Sequence, residues 1–410
     1  MMLDTATAVK EFEQLERRLL ECASKRPVWN MQDESVRAEV KKFFIESQGF
    51  DKIPMPEIKY HCVSRDTVFG CRVERLAGTS WENCAVSAHL FLPPDDGVHP
   101  VVLIACGHGE TKLGYCRIGA FLAQNGIACL VPDNIGQLER KDMGHWKENA
   151  PFALGFSFIS MLTIEALANL KYLHDDPRFS RIGAAGNSGG GLLTLCLAAL
   201  APDYLEAIAS TGYPSSFEWI CRKRKRHCGC NLFAGVIGKI EHEELYSLFS
   251  PRPLCIMQGI FDNLLPLDVF NALVGKLKLH YTEAGVPENF SHDVWYGPHP
   301  WCKQSGELMR DFFCRIFKLE GTGKEMAEDL ALLEDASVFG YVYDKFPEWA
   351  LNTEQLSYQI AGKEVPAHTP ELYEIWKPEH DTDYPDFYPL GETKRIMAQW
   401  KLFIEGYKRS

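Results

Sequence analysis

Residues 183–191 read GAAGNSGGG and set one serine, Ser188, among five glycines. An apolar stretch with strand character runs into this segment, and LLTLCLAALAP, with helix character, follows it. Glycine inside a helix costs about 0.5–1 kcal/mol relative to alanine, so such a cluster needs a geometric reason. A strand that turns abruptly into a helix through Gly-x-Ser-x-Gly carries the serine at the tip of a tight, strained turn. Missing Cβ atoms on either side let the backbone close beneath it. Gly186-Asn187-Ser188-Gly189-Gly190 fits that pattern. The helix N-terminus below also favours developing negative charge. A serine hydroxyl alone is a poor nucleophile; it needs a base within hydrogen-bond reach and a third group to orient that base. On this kind of turn the acid follows the serine in the chain and the histidine comes last. Asp262, in MQGIFDNLLP, and His299, in VWYGPHPW, each come just after an apolar run, where a loop can carry them to the serine. Asp268 reads instead as a helix-start residue, and His292 and Asp293 as residues inside a strand. Ser188, Asp262 and His299 together predict acyl transfer through a covalent intermediate.

Acyl transfer also needs hydrogen-bond donors aimed at the tetrahedral oxyanion, each worth about 3–4 kcal/mol. The backbone N–H of Gly189 is one candidate. The loop CGHGETK offers Gly109 or Glu110 for the other, and the sequence does not choose between them. Candidate substrate contacts are His108 in the same loop, Trp146 and Phe152 in MGHWKENAPFALGFSF, and Cys230. Ordinary core packing competes with that role for the two aromatics. CRKRKRHCGCN gathers Cys221, His227, Cys228 and Cys230. Its spacing is not a pair of C-x2-C motifs, and adjacent His-Cys ligands close awkwardly around a tetrahedral ion. The expectation is therefore no metal and no cofactor, with this segment lining the substrate pocket.

Buried strands alternating with helices must position these residues. HPVVLIACGHG, GIACLVPDNIG, RIGAAGNS, YLEAIASTGYP, RPLCIMQGIFD and FSHDVWYGPHPW read as strands separated by helical segments. That order predicts an α/β fold with a mostly parallel, doubly wound sheet covered by helices on both faces. HCVSRDTVFGCRVERLAG and CAVSAHLFLP look like an antiparallel pair leading into it. Residues 1–58 read as an N-terminal helical segment and 59–320 as the catalytic domain, with a cap-like insertion at about 214–250. Residues 321–410, rich in aromatics and proline, read as an extension packed on the domain or on a partner in a homo-oligomer.

The 410 residues carry a formal net charge of −12, which argues against nucleic-acid and anionic-membrane partners. The basic stretch at 221–228 is too short to reverse that. The N-terminus lacks the positive start and apolar core of a signal peptide, and no apolar run reaches spanning length, so a cytoplasmic location is expected. The fourteen cysteines are then expected to stay reduced.

Taken in order, GHGETK, VPDNIGQLER, RIGAAGNSGGG, FSPRPLCIMQGIFD and GPHPW resemble the acetylxylan-esterase-like branch of the α/β-hydrolase superfamily, over roughly residues 60 to 320. The resemblance implies the α/β-hydrolase fold and a serine carboxyl-ester hydrolase with Ser188, Asp262 and His299 in the triad positions. It also implies that Asp133, Glu139 and Arg140 buttress the site without reacting. The expected partner is a small-molecule ester, of acetyl-like acyl size and carried by a carbohydrate. Two alternatives remain open: the same triad acting on amide, peptide or carbon–carbon bonds, and a non-catalytic binding protein.

Overall fold

Among the described residues nine strands form one sheet: β1 (Lys59–Val68), β2 (Cys71–Thr79), β3 (Ala85–Leu92), β4 (His99–Ala105), β5 (Ala128–Pro132), β6 (Phe179–Asn187), β7 (Ala207–Thr211), β8 (Leu254–Gly259) and β9 (Phe290–Trp295). A computed structural model describes residues 5–109, 111–145, 149–222, 228–319, 323–377 and 393–407. The spatial order is β1-β2-β3-β5-β4-β6-β7-β8-β9. From β5 to β9 every pairing is parallel, while β1, β2 and β3 pair antiparallel and β3 meets β5 antiparallel. The central strands β4, β6, β7 and β8 are buried almost throughout, as strands covered on both faces must be.

The antiparallel edge differs from the sequence expectation. HCVSRDTVFGCRVERLAG is not one strand but two, folded back at Phe69-Gly70, whose φ values are 49° and 73°. Two consecutive positive φ angles give the two-residue hairpin turn whose twist matches the flanking strands. The glycine in that turn was the available signal.

Helices fill both faces. Gly189–Leu200 and Phe158–Asp175 carry fully buried leucines and isoleucines into one core, which also takes Phe12, Leu15 and Leu19 of the first helix, Thr5–Ser24. Leu113–Gln124 and Lys303–Phe317 cover the other face. The first helix meets the last, Thr393–Glu405, through Phe12 and Trp400, with ring centroids 4.7 Å apart. The segment around residues 336–346 lies on the antiparallel edge. Arg75 donates to the carbonyl of Phe339 and the hydroxyl of Tyr343 donates to the carbonyl of Val86. Among the described residues no helix is long and apolar enough to cross a membrane.

Candidate active site

Ser188 stands between the end of β6 and the start of helix Gly189–Leu200, with φ 60° and ψ −121°. That backbone conformation is costly for a residue with a side chain, and it persists only where the surroundings over-determine it. They do so by close approach. A Cβ on Gly186 would lie 2.2 Å from the carbonyl oxygen of Gly190, and one on Gly190 would lie 1.9 Å from that of Ala105. The helix N-terminus is thus pressed directly onto β4 and β6. The amide of Ser188 donates to Thr211 at the end of β7 (3.0 Å), which ties the turn to the neighbouring strand. Ser188 and Gly189 are half-buried, beside the exposed His108 and Gly109.

Asp262 and His299 leave the ends of β8 and β9. Their loops are joined by backbone bonds from Ile260 to Trp295 (2.9 Å) and from Phe261 to Gly297 (3.0 Å). The buried Asp262 carboxylate accepts from the amides of Leu264 and Leu265 through Oδ1 and from His299 Nδ1 through Oδ2, at 2.6 Å. The Nδ1 proton is thereby held by the carboxylate, leaving Nε2 as the basic nitrogen; it makes no hydrogen bond here. His299 lies against the residue that precedes Ser188. Asn187, next to Ser188, donates to the carbonyl of His299 (3.2 Å), and His299 Cε1 would stand 3.0 Å from a Cβ on Gly212. The competing residues His292 and Asp293 lie within β9 and are exposed.

The loop after β4 reaches the same turn. A Cβ on Gly107 would meet the Ser188 Cβ at 3.0 Å, and the His108 ring would stand 3.0 Å from a Cβ on Gly189. The amide of Gly107 is engaged by the Tyr115 hydroxyl (2.7 Å). Gly189 N–H opens the helix, where the first amides have no partner within the helix. Glu110 and Trp146 lie outside the described residues. Phe152 is buried, with its ring 6.5 Å from that of Tyr407. Cys230 turns toward His108, His145 and Cys228.

Asp133, Glu139 and Arg140 sit in a buried charged network at the base of the loop. Lys112 Nζ is 2.9 Å from both Asp133 and Glu139, Ser87 donates to Asp133 (2.6 Å), and Arg140 pairs with Glu165 (2.6 Å). Burial opposes the charge on Lys112, but the two carboxylates outweigh it and hold the ammonium's pKa above its ordinary value. Glu139 also accepts from the amides of Val342 and Tyr343, joining the C-terminal segment to this network. A cleft of about 690 Å³ opens on the far side, between Lys112, Glu139 and the segment 336–346, and no triad residue lines it.

Sequence reasoning did not single out Asn187, Tyr115, Trp301, Lys112 or His145. Trp301 donates to Thr211 Oγ1 (2.7 Å) and packs edge-on against Tyr115. His145 adjoins Trp146 in MGHWKENAPFALGFSF, but nothing local in the sequence marks the histidine itself. The described cysteines divide by surroundings. Burial pushes the Cys196 and Cys255 thiols up to about 12. Burial acts in the same direction on Cys228, yet hydrogen bonds from Cys230, His108 and His145 hold it well below the usual thiol range.

No family model and no curated protein matches the chain. Solved structures do. A methylesterase, BT1017, superposes with a TM-score of 0.64 at 19% identity, covering 85% of this chain and 78% of its own. A candidate acetyl xylan esterase from Bacteroides fragilis gives 0.57 at 13% identity, covering 72% and 83%. A glucuronoyl esterase from Solibacter usitatus gives 0.54 at 12% identity, covering 69% and 92%.

Proposed function

From the α/β-hydrolase fold that this chain has in common with those carbohydrate esterases, we propose that it is a serine carboxylic-ester hydrolase acting on small acyl esters of a carbohydrate. The observation that carries the reading is the 2.6 Å contact between His299 Nδ1 and the Asp262 carboxylate, beside the strained turn that holds Ser188. Asp262 fixes the tautomer, so Nε2 takes the proton of Ser188 Oγ as that oxygen attacks the ester carbonyl. The bond from Oγ to carbon forms, and negative charge collects on the former carbonyl oxygen. The amide of Gly189 and a second donor from the loop of Gly109 and Glu110 stabilise that charge. His299 then gives its proton to the leaving alcohol as the carbon–oxygen bond breaks. Water, deprotonated by the same imidazole, releases the acid and restores the serine.

The carbohydrate part of the proposal rests on the fold likeness and on the partly exposed setting of Ser188. The test is a panel of p-nitrophenyl acetate, acetylated sugars, uronate methyl esters, long-chain acyl esters and peptide amides. Hydrolysis of the short esters, abolished in Ser188→Ala, supports the reading. Activity that survives the substitution removes Ser188 from the chemistry, and failure of a fluorophosphonate to label Ser188 argues for a binding protein instead.

A further inference from the structure

Beside the nucleophile turn, four donor atoms face one point. His108 Nε2 lies 3.0 Å from His145 Nε2, 3.0 Å from Cys228 Sγ and 3.2 Å from Cys230 Sγ, and the two sulfurs are 2.8 Å apart. All four atoms lie within 4.8 Å of one another. They come from three loops: the one after β4, the one before helix Asn149–Ala153, and the insertion between β7 and β8. His145, Cys228 and Cys230 are buried, and His108 forms the exposed side.

Hydrogen bonding within the group does not account for this convergence. An imidazole nitrogen offers either one proton or one lone pair, yet His108 Nε2 is in contact with three other donor atoms at once. A single cation satisfies all four. Two imidazole nitrogens and two thiols are the donor set that zinc takes in closed tetrahedral sites. With Zn–N of about 2.0–2.1 Å and Zn–S of about 2.3 Å, the donors would stand about 3.3–3.8 Å apart, so an ion is admitted when the two sulfurs part by about 1 Å and His108 Nε2 draws away from its neighbours by about 0.3–0.6 Å. The surroundings suit bound ligands. Asn231 Nδ2 donates toward Cys228 Sγ (3.2 Å) and Cys230 Sγ (3.4 Å), and His145 Nδ1 faces the carbonyl of Ile135 at 3.4 Å. The Gln137 side-chain amide lies 3.1 Å from His145 Nδ1 and 3.0 Å from Nε2, with its oxygen unpartnered; turned over, that amide together with the Ile135 carbonyl holds the Nδ1 proton and leaves Nε2 for the metal.

We propose that His108, His145, Cys228 and Cys230 form a tetrahedral site for one zinc-type divalent ion. Protein fills all four positions, so the ion acts as a clasp and not as a Lewis acid toward substrate. It joins three loops that share no strand pairing, and through His108 it braces the wall beside Gly189. This departs from the sequence expectation of no metal. That expectation weighed Cys221 and His227 as ligands; Cys221 instead sits under Trp400, whose indole donates to its carbonyl (2.8 Å), and His227 lies outside the described residues.

Elemental analysis of the full chain, purified under reducing conditions, equilibrated with zinc and passed through a desalting column, tests the site. About one zinc per chain is expected, falling to background in Cys228→Ser and Cys230→Ser. Cobalt in place of zinc should give thiolate charge-transfer and tetrahedral d–d bands that both variants lose. Should the cysteine variants fail to fold, His108→Asn, at the exposed side, serves with circular dichroism as the folding control, and it too should lose the ion. An ion-free chain after zinc treatment, or full zinc retention in the folded variants, overturns the proposal. A zinc-loaded chain with no ester hydrolysis would count against the esterase reading and leave this one standing.

Discussion

The two sides of Ser188 are built by different means. On one side Ser188, Asp262 and His299 follow the ends of the parallel strands β6, β8 and β9 and are held close to those ends: the Ser188 amide by Thr211, the Asp262 carboxylate by the amides of Leu264 and Leu265, and the His299 carbonyl by the Asn187 side chain. On the other side the wall is made of loops from residues 107–112, 143–145 and 228–231, which have no ladder in common. They meet through side chains: Lys112 on Asp133 and Glu139, and His108 with His145, Cys228 and Cys230. The difference teaches that a sheet edge brings residues together by pairing the strands they follow, so that short-range bonds suffice to fix them. A loop wall must bring its own cross-links, and those are made from residues far apart in the chain.

If the strand side carries the chemistry, the largest effect belongs to Ser188→Ala, which should lower kcat for p-nitrophenyl acetate by about 10⁴–10⁶-fold. Asp262→Asn should cost about 10³–10⁴-fold, since the imidazole loses the partner that fixes its tautomer. A loss of less than tenfold in steady-state assays would detach Asp262 from the triad. The strand side should also be the less forgiving of added volume. Gly190→Ala puts a methyl against the carbonyl of Ala105 and should destabilise the fold by at least about 3 kcal/mol in urea titration. Unchanged stability would show that the turn is not pressed onto β4.

Smaller effects belong to the loop side. Asn231→Ala removes the amide that faces both sulfurs and should weaken zinc affinity by about 10–100-fold in competition with a chromophoric chelator. Affinity equal to the parent's would remove Asn231 from the support of the site. The insertion that carries Cys228 and Cys230 is also underlain by His242, which stacks on Tyr213 and accepts from the amide of Ser215. Burial lowers its pKa from 6.5 to about 3. The folded chain therefore holds His242 neutral while the unfolded chain binds a proton. Its contribution is complete above pH 6.5 and is lost as pH falls toward 3. The stability gap between parent and His242→Gln should narrow by about 2 kcal/mol between pH 7 and pH 5. An unchanged gap in paired urea titrations would place the proton elsewhere.

Much of the strand side was legible. The run of apolar strands gave the parallel sheet, and glycines around Ser188 gave the turn, because a positive φ and a buried backbone approach leave local marks. The hairpin at Phe69-Gly70 was missed although its glycine was visible, since the apolar pattern runs through the turn without a break. On the loop side, Cys228 and Cys230 were seen, but with Cys221 and His227 as companions. The companions in space are His108 and His145, 120 and 83 residues upstream of Cys228.

Sequence by itself marked the alternation of parallel strands and helices, the strained serine turn and the loops that carry Asp262 and His299, because periodicity, glycine and strand ends are local properties of a chain. Tertiary structure alone decided that Phe152 packs beside Tyr407, that Lys112 joins Asp133 to Glu139, and that two histidines and two cysteines converge. Loops carry no periodicity to fix where they end, so what they meet depends on how the whole sheet and its helices bring them together.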